Sequence, residues 1–345
     1  MTGTESRAVS LIVTVKNEEE SLPRLLGSIA AQTMLPLEVI LVDGGSRDRT
    51  LDVARHWRKR LPLTIISAPQ ANISAGRNLA LSRATAPIVA VTDAGTTPDS
   101  RWLDEITQPF SRPIALQPDV VCGFFAAQPT NRFETFLGAT TLPDISEIRS
   151  EQFLPSSRSI AFRRSLIESG IAYPEWLDYC EDLVFDLRLK RAGARFEFRP
   201  AARVGFRPRS TLRAFVKQYF FYARGDGKAG LFPRRYAMRY ATYLIFLPLA
   251  FKRRDRHAVV ALGIGSAFYL RYPIKRLLMR KNEFAAIDLA LGLLSLPLLR
   301  LVGDLAKMVG YPIGIVWRWR RFGIRRTWRT IPEEPSMARG VLLEE

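Results

Sequence analysis

The stretch NISAGRNLALSRATAPIVAVTDAGTTPDSRWLD, residues 72–104, decides the fold of this chain. Within it an apolar run, Ile88 to Val91, is followed by Thr92 and Asp93 and then by a turn of small residues. Pro87 precedes the run and a Gly/Thr/Pro cluster follows it, so the pattern predicts a short buried strand of a parallel sheet. Such a strand carries Asp93 at its C-terminal end, the edge where open α/β sheets bind ligands.

Three earlier segments repeat this strand-and-helix pattern. Apolar runs at 8–15, 37–42 and 63–67 are each followed by a polar turn and then by apolar residues at helical spacing. Repeated units of this kind predict an α/β fold with a doubly wound, mostly parallel sheet and right-handed crossovers. The polar turns are therefore expected at one edge of the sheet.

Charge and hydropathy separate the chain into two regions. The 345 residues carry a formal net charge of +18, and residues 231–330 hold 20 Lys/Arg against 4 Asp/Glu. This basic region is also the apolar one, which favours an anionic membrane surface over nucleic acid as its partner. The two cysteines are too few for a disulfide framework and suit a reducing compartment. The first ten residues have no apolar core of signal-peptide length, so the N-terminal domain is expected to face the cytoplasm.

Polar residues follow three of the predicted strands. They are Asn17 with Glu18, Asp43 with Ser46, and Asp93. Two glycines beside Asp43 leave room for a flat ring to approach the backbone. Taken singly, such residues more often cap turns than bind ligands, and Arg77 fits a surface helix start as well as an anion-binding site. Their combination favours a ligand site.

A second acidic cluster, Asp178 to Asp182, precedes another helical pattern. Glu181 and Asp182 fall at the predicted helix start, where the positive end of the helix dipole keeps carboxylates ionised. Ordinary capping is the alternative explanation of such a pair. In a group transfer, an ionised carboxylate within reach of the acceptor can act as its general base.

Residues 8–230 resemble the family 2 glycosyltransferases, which have the GT-A fold. The similar segments are SLIVTVKNEEESLPRLLGSIAAQTMLPLEVILVDGGSRDRT, AGRNLAL, IVAVTDAGT and EDLVFDLRLKRAG. Enzymes of this family transfer a sugar from a nucleotide diphosphate to an acceptor hydroxyl or phosphate. The Glu-Asp motif of the family falls on Glu181 and Asp182, which implies that Asp182 is the catalytic base and that Glu181 contacts the acceptor or the donor.

The resemblance also implies a donor pocket. Val15, Glu18 and Asp43 would line the space for the nucleobase and the ribose, and Arg77 would lie near the base or the diphosphate. Thr14, beside Val15, replaces the proline that family members usually have there. We include Thr14 in the expected pocket.

The metal motif of the family is incomplete in this chain. Asp93 stands in the place of its first acid, but Gly95 replaces the second. Mg²⁺ and Mn²⁺ bind oxygen ligands and often take only one or two carboxylates, with phosphate oxygens and water as the other ligands. The resemblance therefore implies a divalent cation held weakly by Asp93 and by the donor's own phosphates.

Residues 199–230 are rich in basic and aromatic side chains. Arg207, Arg224 and Lys228 have the charge to bind a diphosphate or a phospholipid-type acceptor. Family members that polymerise sugars carry Gln-x-x-Arg-Trp here, whereas this chain has Gln218-Tyr-Phe-Phe-Tyr222. The resemblance thus implies transfer of a single sugar.

The C-terminal region has apolar runs at 240–251, 258–270, 284–299 and 308–317, each flanked by basic residues. A spanning helix requires roughly 20 apolar residues, and each run is shorter. The pattern predicts a hydrophobic, basic, α-helical membrane-associated region. Shallow, hairpin and spanning helices are alternatives, and so is a soluble helical domain with a basic face.

The sequence therefore predicts a GT-A catalytic domain over 1–230, a membrane-associated region over 231–330 and a disordered tail over 331–345. The expected function is inverting transfer of one sugar from a UDP- or GDP-sugar to a lipid-linked or cell-envelope glycan acceptor. The catalytic domain is expected at the cell membrane, facing the cytoplasm. The loss of the second acid suggests, as one alternative, a weak or inactive membrane-bound protein that binds nucleotide-sugar or lipid. A nucleotidyltransferase is the other, although its usual Gly-rich basic phosphate loop is acidic here.

Overall fold

The computed structural model describes residues 7–253, 256–331 and 342–343, which divide into two compact units. The first unit comprises the chain up to Gln128, residues 145–207 and the C-terminal pair, and the second comprises residues 129–144 and 208–331. The chain passes from the first unit to the second near residue 207. The domain boundary at residue 230 remains a sequence-based prediction. The predicted tail lies mostly outside the described residues.

The first unit begins with alternating strands and helices. They are β1 (Val9–Val15), α1 (Leu22–Ala30), β2 (Glu38–Asp43), α2 (Thr50–Trp57), β3 (Leu63–Ser67), α3 (Ile73–Arg83) and β4 (Ile88–Asp93). β1 pairs in parallel with β2 and with β4, and β2 pairs in parallel with β3. Each apolar run of the sequence forms one of these strands, so the predicted parallel sheet is confirmed.

Further strands extend this sheet on both sides. The elements that follow are β5 (Thr96–Pro98), α4 (Trp102–Thr107), β6 (Val120–Ala127), α5 (Arg132–Thr141, in the second unit), β7 (Ile160–Arg163), α6 (Ser165–Glu168), α7 (Glu181–Arg191) and β8 (Phe196–Phe206). In the described residues the order is β5-β8-β6-β7-β4-β1-β2-β3-β9, where β9 is Leu342–Leu343. β5, β7 and β9 run antiparallel to their neighbours, and the remaining strands share one direction. The sheet is therefore mixed.

Helices cover both faces of the sheet. Because side chains alternate along a strand, Leu11 and Val13 of β1 pack in one layer with α1, α2 and α4. Ile12 packs in the opposite layer with α3 and α7. All three side chains are fully buried. Two hydrophobic layers thus hold the C-terminal ends of the central strands in place.

The second unit is helical. Besides α5 it contains α8 (Leu212–Ala229), α9 (Pro233–Tyr240), a π-helical segment (Ala241–Phe246), α10 (Leu247–Arg253), α11 (Arg256–Met279) and α12 (Ala286–Phe322). Small residues let α8 and α12 approach closely. A Cβ atom at Gly310 would collide with the carbonyl oxygen of Phe220, and one at Gly314 with that of Arg224. This Gly-x-x-x-Gly spacing is typical of tightly packed helices in membranes.

Three charged residues of α12, Asp288, Asp304 and Arg318, are buried inside the helical unit. Its exposed apolar residues recur every three or four positions: Ile287, Leu291, Leu294, Leu298, Leu301, Leu305, Val309, Ile313 and Val316. A surface helix of a soluble protein has the opposite arrangement. Among the described helices, α12 alone is long and apolar enough to cross a membrane, with a mean hydropathy of 1.8 over its most apolar window, of which 28% is buried.

The structure corrects one expectation about the apolar runs. The runs at 284–299 and 308–317 are each too short to span a membrane, but they join into the single helix α12, which continues through Pro297 and Pro312. The polar residues that separate the two runs in sequence, such as Asp304, lie on the buried face of this helix. Sequence hydropathy therefore underestimates the length of the apolar surface.

Candidate active site

The strand register brings four of the predicted donor-site residues to one edge of the sheet. Thr14 stands opposite Asp93, and Val15 stands opposite Asp43. All four lie at the C-terminal ends of parallel strands. The expectation that these strand ends meet is therefore met by the geometry, while the binding role of each residue remains a prediction.

Asp43 is almost fully buried and caps the turn that follows β2. Its carboxylate accepts hydrogen bonds from the backbone N–H of Gly45 (3.0 Å) and of Ser46 (3.0 Å), and from the Ser46 hydroxyl. Gly45 has a φ of +87°, in the left-handed region that favours glycine. Asp43 therefore does cap a turn, as the alternative explanation of this residue holds. The cap fixes the loop beside Val15.

The loops after β1 and β2 are joined to each other. The Asn17 carboxamide oxygen accepts the Arg47 N–H (2.9 Å), and the Asn17 N–H donates to the Ser46 hydroxyl (2.8 Å). The Glu18 N–H donates to the Thr50 hydroxyl (2.7 Å), and its carboxylate accepts the Ser21 hydroxyl. These bonds position Glu18 on a preformed surface, which is what a nucleotide pocket requires.

Arg77 connects the two acidic clusters of the sequence. Its guanidinium donates from Nη2 to Asp93 (2.8 Å) and from Nη1 to Glu181 (2.7 Å). The side chain is only 2% exposed, and it lies over the Tyr173 ring at 5.1 Å. Both carboxylates raise the pKa of Arg77 above its usual value although burial opposes them. Arg77 is therefore a fixed positive charge, and the surface-helix alternative does not describe it.

A polar ring closes around this arginine. The Arg158 Nη1 donates to the Ser156 hydroxyl (3.0 Å), which donates to Asp182 Oδ2 (3.2 Å). The Arg158 Nε lies 3.8 Å from Asp93 Oδ2. The ring thus runs Asp93, Arg77, Glu181, Asp182, Ser156, Arg158 and back to Asp93. Carboxylates from β4 and α7 share one site although they are far apart in sequence.

A divalent cation in this ring would have to share the Asp93 carboxylate with Arg77 and Arg158. Asp93 Oδ1 is occupied by Arg77, whereas its side chain as a whole is 27% exposed. Gly95 supplies no ligand, and in the described part of the chain no three His, Cys, Asp or Glu side chains are grouped to hold a metal ion. The residues fit a cation that takes one protein oxygen and completes its shell with phosphate and water, not a metal site built by the protein alone.

The α7 acids have different environments. α7 begins at Glu181, as the acidic cluster predicts, and Asp182 beside it is half-buried. Asp186, one turn further on the same face, is fully buried, and its Oδ2 has no hydrogen-bond partner among the described residues. Burial, followed by the charge of Asp182, raises the pKa of Asp186 well above its usual range. Of the two aspartates on this helix turn, only Asp182 is partly exposed.

Burial raises the pKa of Glu181 from 4.5 to about 7, with Asp182 acting in the same direction and Arg77 opposing. Between these two values the native protein holds a proton that the unfolded chain releases, so stability falls as pH rises from 4.5 to 7. We expect Glu181→Gln to flatten this fall by up to about 3 kcal/mol. Urea unfolding at pH 5, 6 and 7 would measure it. An unchanged slope in the variant would contradict the assignment.

The three basic residues predicted to bind phosphate do not join the ring. Arg207 follows β8 and is exposed. Arg224 and Lys228 belong to the second unit, where Arg224 lies over Phe221 at 4.6 Å and the buried Lys228 lies 4.3 Å from the Trp317 ring centre. Their predicted phosphate role therefore remains a proposal.

Sequence reasoning did not select two members of the ring, Ser156 and Arg158. A polar loop with one arginine carries no distinctive motif, so only the fold shows that Arg158 reaches Asp93. The sequence did contain a pattern that could have indicated Asp186. This residue follows Asp182 at the i+4 spacing that places side chains on one helix face.

Known proteins resemble this chain in sequence and in fold. The profile of the glycosyl transferase family 2 matches residues 10–168. The pre-mycofactocin glycosyltransferase of Mycobacterium tuberculosis is 28% identical over 238 residues, which is 64% of this chain and 47% of the relative. The succinoglycan biosynthesis protein ExoA of Rhizobium meliloti is 25% identical over 297 residues, 80% of this chain and 88% of the relative. This chain thus spans about half the length of the mycobacterial relative and most of the rhizobial one.

A solved structure shares the fold. The mannosyltransferase of Pyrobaculum calidifontis, in complex with GDP-Man and Mn²⁺, superposes with a TM-score of 0.53 at 18% identity, over 90% of this chain and 87% of that chain. The family profile spans the strand ends that carry Asp43 and Asp93 and the helix that carries Arg77. Profile, relatives and fold agree with the motifs of the sequence, and together they support a family 2 glycosyltransferase domain over residues 10–168.

Proposed function

We propose that this chain transfers a single sugar from a nucleotide-diphosphate sugar to a lipid-linked or cell-envelope glycan acceptor, with inversion at the anomeric carbon. The observation that carries the proposal is the polar ring, because it joins a carboxylate at the donor edge of the sheet to a carboxylate on α7 through Arg77. A transfer reaction needs donor and acceptor groups in one site, and this ring provides both.

The donor would lie along the ends of β1, β2 and β4. Val15, Glu18 and Asp43 would contact the nucleobase and the ribose, and Thr14 would form the floor beside Asp93. The packing of Gly76 supports this arrangement, because a Cβ atom there would meet the Thr14 methyl group at 3.1 Å. The backbone of α3 therefore stays close to the pocket, and Arg77, next in sequence, would lie near the diphosphate as a buried positive charge behind Asp93.

Asp182 would act as the general base. It would take the proton of the acceptor O–H while that oxygen attacks the anomeric carbon and the bond from that carbon to the diphosphate oxygen breaks. Ser156 donates to Asp182 Oδ2, and the Leu183 N–H donates to Oδ1 at 2.8 Å, so both oxygens are oriented. Arg158, on the side of Asp93, would stabilise the negative charge that develops on the departing diphosphate.

A divalent cation, Mg²⁺ or Mn²⁺, would bind Asp93 and the donor phosphates. When bound, it would neutralise part of the diphosphate charge. Because the cation would share Asp93 with two arginines, we expect a weak cation requirement. Arg77 and Arg158 already place two positive charges beside the same carboxylate.

The second unit would hold the enzyme at the cell membrane, with the catalytic unit facing the cytoplasm. The exposed apolar face of α12 supports this location, because lipid tails rather than water would cover its leucines. Arg207, Arg224 and Lys228 would bind the donor diphosphate or the phosphate of the acceptor. The rhizobial relative is named for succinoglycan biosynthesis, which supports an envelope glycan as the acceptor class.

The main alternative is a membrane-bound protein that binds the nucleotide-sugar without transferring it, as the replacement at Gly95 suggests. The oriented Asp182 argues against this alternative, because a binding protein does not require a base on the acceptor side. A nucleotidyltransferase is less consistent with the acidic loop from Glu18 to Glu20 after β1.

The donor site can be tested by thermal unfolding with UDP and GDP. A nucleotide at 100 times its dissociation constant should stabilise the native protein by about 2.7 kcal/mol. Mn²⁺ should add to this stabilisation, and Asp93→Asn should abolish the addition. Asp52→Asn, which removes an exposed carboxylate of the same unit, is the matched control.

Product analysis of the same samples separates the hypotheses. A transferase releases the nucleotide from its donor sugar when membrane extract supplies an acceptor, whereas a binding protein is stabilised without release. Pyrophosphate release from a nucleoside triphosphate would indicate a nucleotidyltransferase. The proposal would be rejected if neither nucleotide changed the unfolding temperature at any cation concentration.

A further inference from the structure

Basic residues gather around Asp304, halfway along α12. Arg300 and Lys307 stand one turn before and one turn after it on the same helix, and Arg235 and Arg239 come from α9. Lys307 lies within electrostatic range of both α9 arginines and of Asp304. We call the four basic residues with Asp304 the α12 basic cluster. All of it lies within the second unit.

Asp304 is already fully engaged. Its Oδ1 accepts from the Arg239 Nε (2.7 Å), and its Oδ2 accepts from the hydroxyls of Tyr243 (3.0 Å) and Tyr269 (2.9 Å). The Asp304 and Arg239 side chains are only 6% and 8% exposed. The Asp304 carboxylate thus accepts hydrogen bonds from one arginine and two tyrosines, and it can neutralise little of the charge of the other basic residues.

The other cations of the cluster have no carboxylate. Within the described residues, neither Arg300 nor Lys307 forms an ion pair. Their charged groups rest on aromatic rings instead, Arg300 on Tyr269 at 4.9 Å and Lys307 on Tyr219 at 4.4 Å. Asp226 also acts on Lys307, but with four basic residues against Asp304 and Asp226 the charge balance here remains positive.

Two buried donors in the same place also have no hydrogen-bond partner among the described residues. They are the Arg239 Nη1 and the Arg300 Nε. An unsatisfied buried donor on a charged group is costly, and native proteins usually pair such groups with protein, water or a ligand. An anion with several oxygens would satisfy both donors and balance the charge.

The apolar surface beside the cluster indicates where that anion comes from. Leu298, Leu301 and Leu305 are exposed on the same turns of α12. A phosphate carried by a lipid would meet the arginines while its apolar chain covers these leucines. A free phosphate would leave them exposed.

We propose that the α12 basic cluster binds the phosphate or diphosphate head group of a membrane lipid, through Arg239, Arg300 and Lys307. As an assignment of the acceptor class, this inference rests on the proposed transferase function. The binding itself does not, since every residue involved belongs to the helical unit.

Binding of a polyprenyl phosphate to the full chain in detergent micelles would test the site. We expect Arg300→Gln and Lys307→Gln each to weaken it about tenfold or more, because each removes a charge-assisted contact to phosphate. Arg325→Gln, which removes one exposed positive charge of the same unit, should change affinity less than about twofold. Without ligand, Arg300→Gln should unfold at the same or a higher temperature than the wild type, because it removes an unpaired cation.

Matched probes decide the source of the phosphate. The phosphate-free polyprenol should bind at least tenfold more weakly than the polyprenyl phosphate. Equal binding of the two, or unchanged affinity in both glutamine variants, would overturn the site. Inorganic phosphate competing at the same concentration as the lipid would overturn the assignment to a lipid. Thermal stabilisation by UDP or GDP should also be measured in the same variants. A variant that loses lipid binding but is still stabilised by the nucleotide has lost this site and kept the donor site.

Discussion

Replacing Asp182 by asparagine is expected to lower turnover by about 100- to 10,000-fold, the contribution that a positioned general base makes. Asparagine keeps the size of the side chain, and its single carboxamide oxygen can still accept one of the two hydrogen bonds from Ser156 and Leu183, but it cannot take a proton. Donor binding should stay the same, because the proposed donor contacts lie at the ends of β1, β2 and β4 and not at Asp182. Single-turnover release of the nucleotide with membrane extract as acceptor, together with UDP or GDP titration, measures both quantities.

Glu168→Gln is the control for this experiment, since it removes an exposed carboxylate of the first unit that takes no part in the ring. It should turn over at the wild-type rate. If Asp182→Asn kept full turnover, Asp182 would have no part in the chemistry. If it lost nucleotide binding as well, Asp182 would support the fold of the site and not the proton transfer.

Replacing Arg77 by methionine is expected to destabilise the first unit by about 3–5 kcal/mol, because it leaves two carboxylates facing each other without their shared cation. The effect should be larger at pH 8 than at pH 5, since Glu181 can take up a proton at the lower pH and relieve the repulsion. Thermal and urea unfolding at both pH values measure the difference. Transfer should be lost at every pH.

Two further variants make this result specific. Arg55→Met removes an ion pair with Asp52 at the same 2.8 Å distance but on the surface, and it should cost less than about 1 kcal/mol. Adding Glu181→Gln to Arg77→Met should restore part of the lost stability, because only Asp93 then lacks a partner. A double variant as unstable as Arg77→Met alone would show that the two carboxylates do not interact through Arg77.

The local pattern of the sequence was sufficient for the strands and for the position of the acids. Each of the four apolar runs forms a parallel strand, and α7 begins at Glu181, because buried strands and helix starts are encoded by neighbouring residues. Because this pattern is local, it could not decide between two roles for Asp43. Its spacing from two glycines predicted both a turn and a pocket, and the structure shows that one carboxylate caps the turn at the pocket edge.

By itself, then, the sequence determined the α/β sheet, the resemblance to family 2 glycosyltransferases, and the edge at which Asp43 and Asp93 stand. Only the tertiary structure decided that Arg77 is buried between Asp93 and Glu181, that Arg158 completes the ring, and that Asp288 and Asp304 of α12 are buried while a stripe of apolar residues on that helix is exposed. The physical reason is that strand and helix formation depend on residues close in sequence, whereas ion pairing and burial depend on which distant segments the fold brings together.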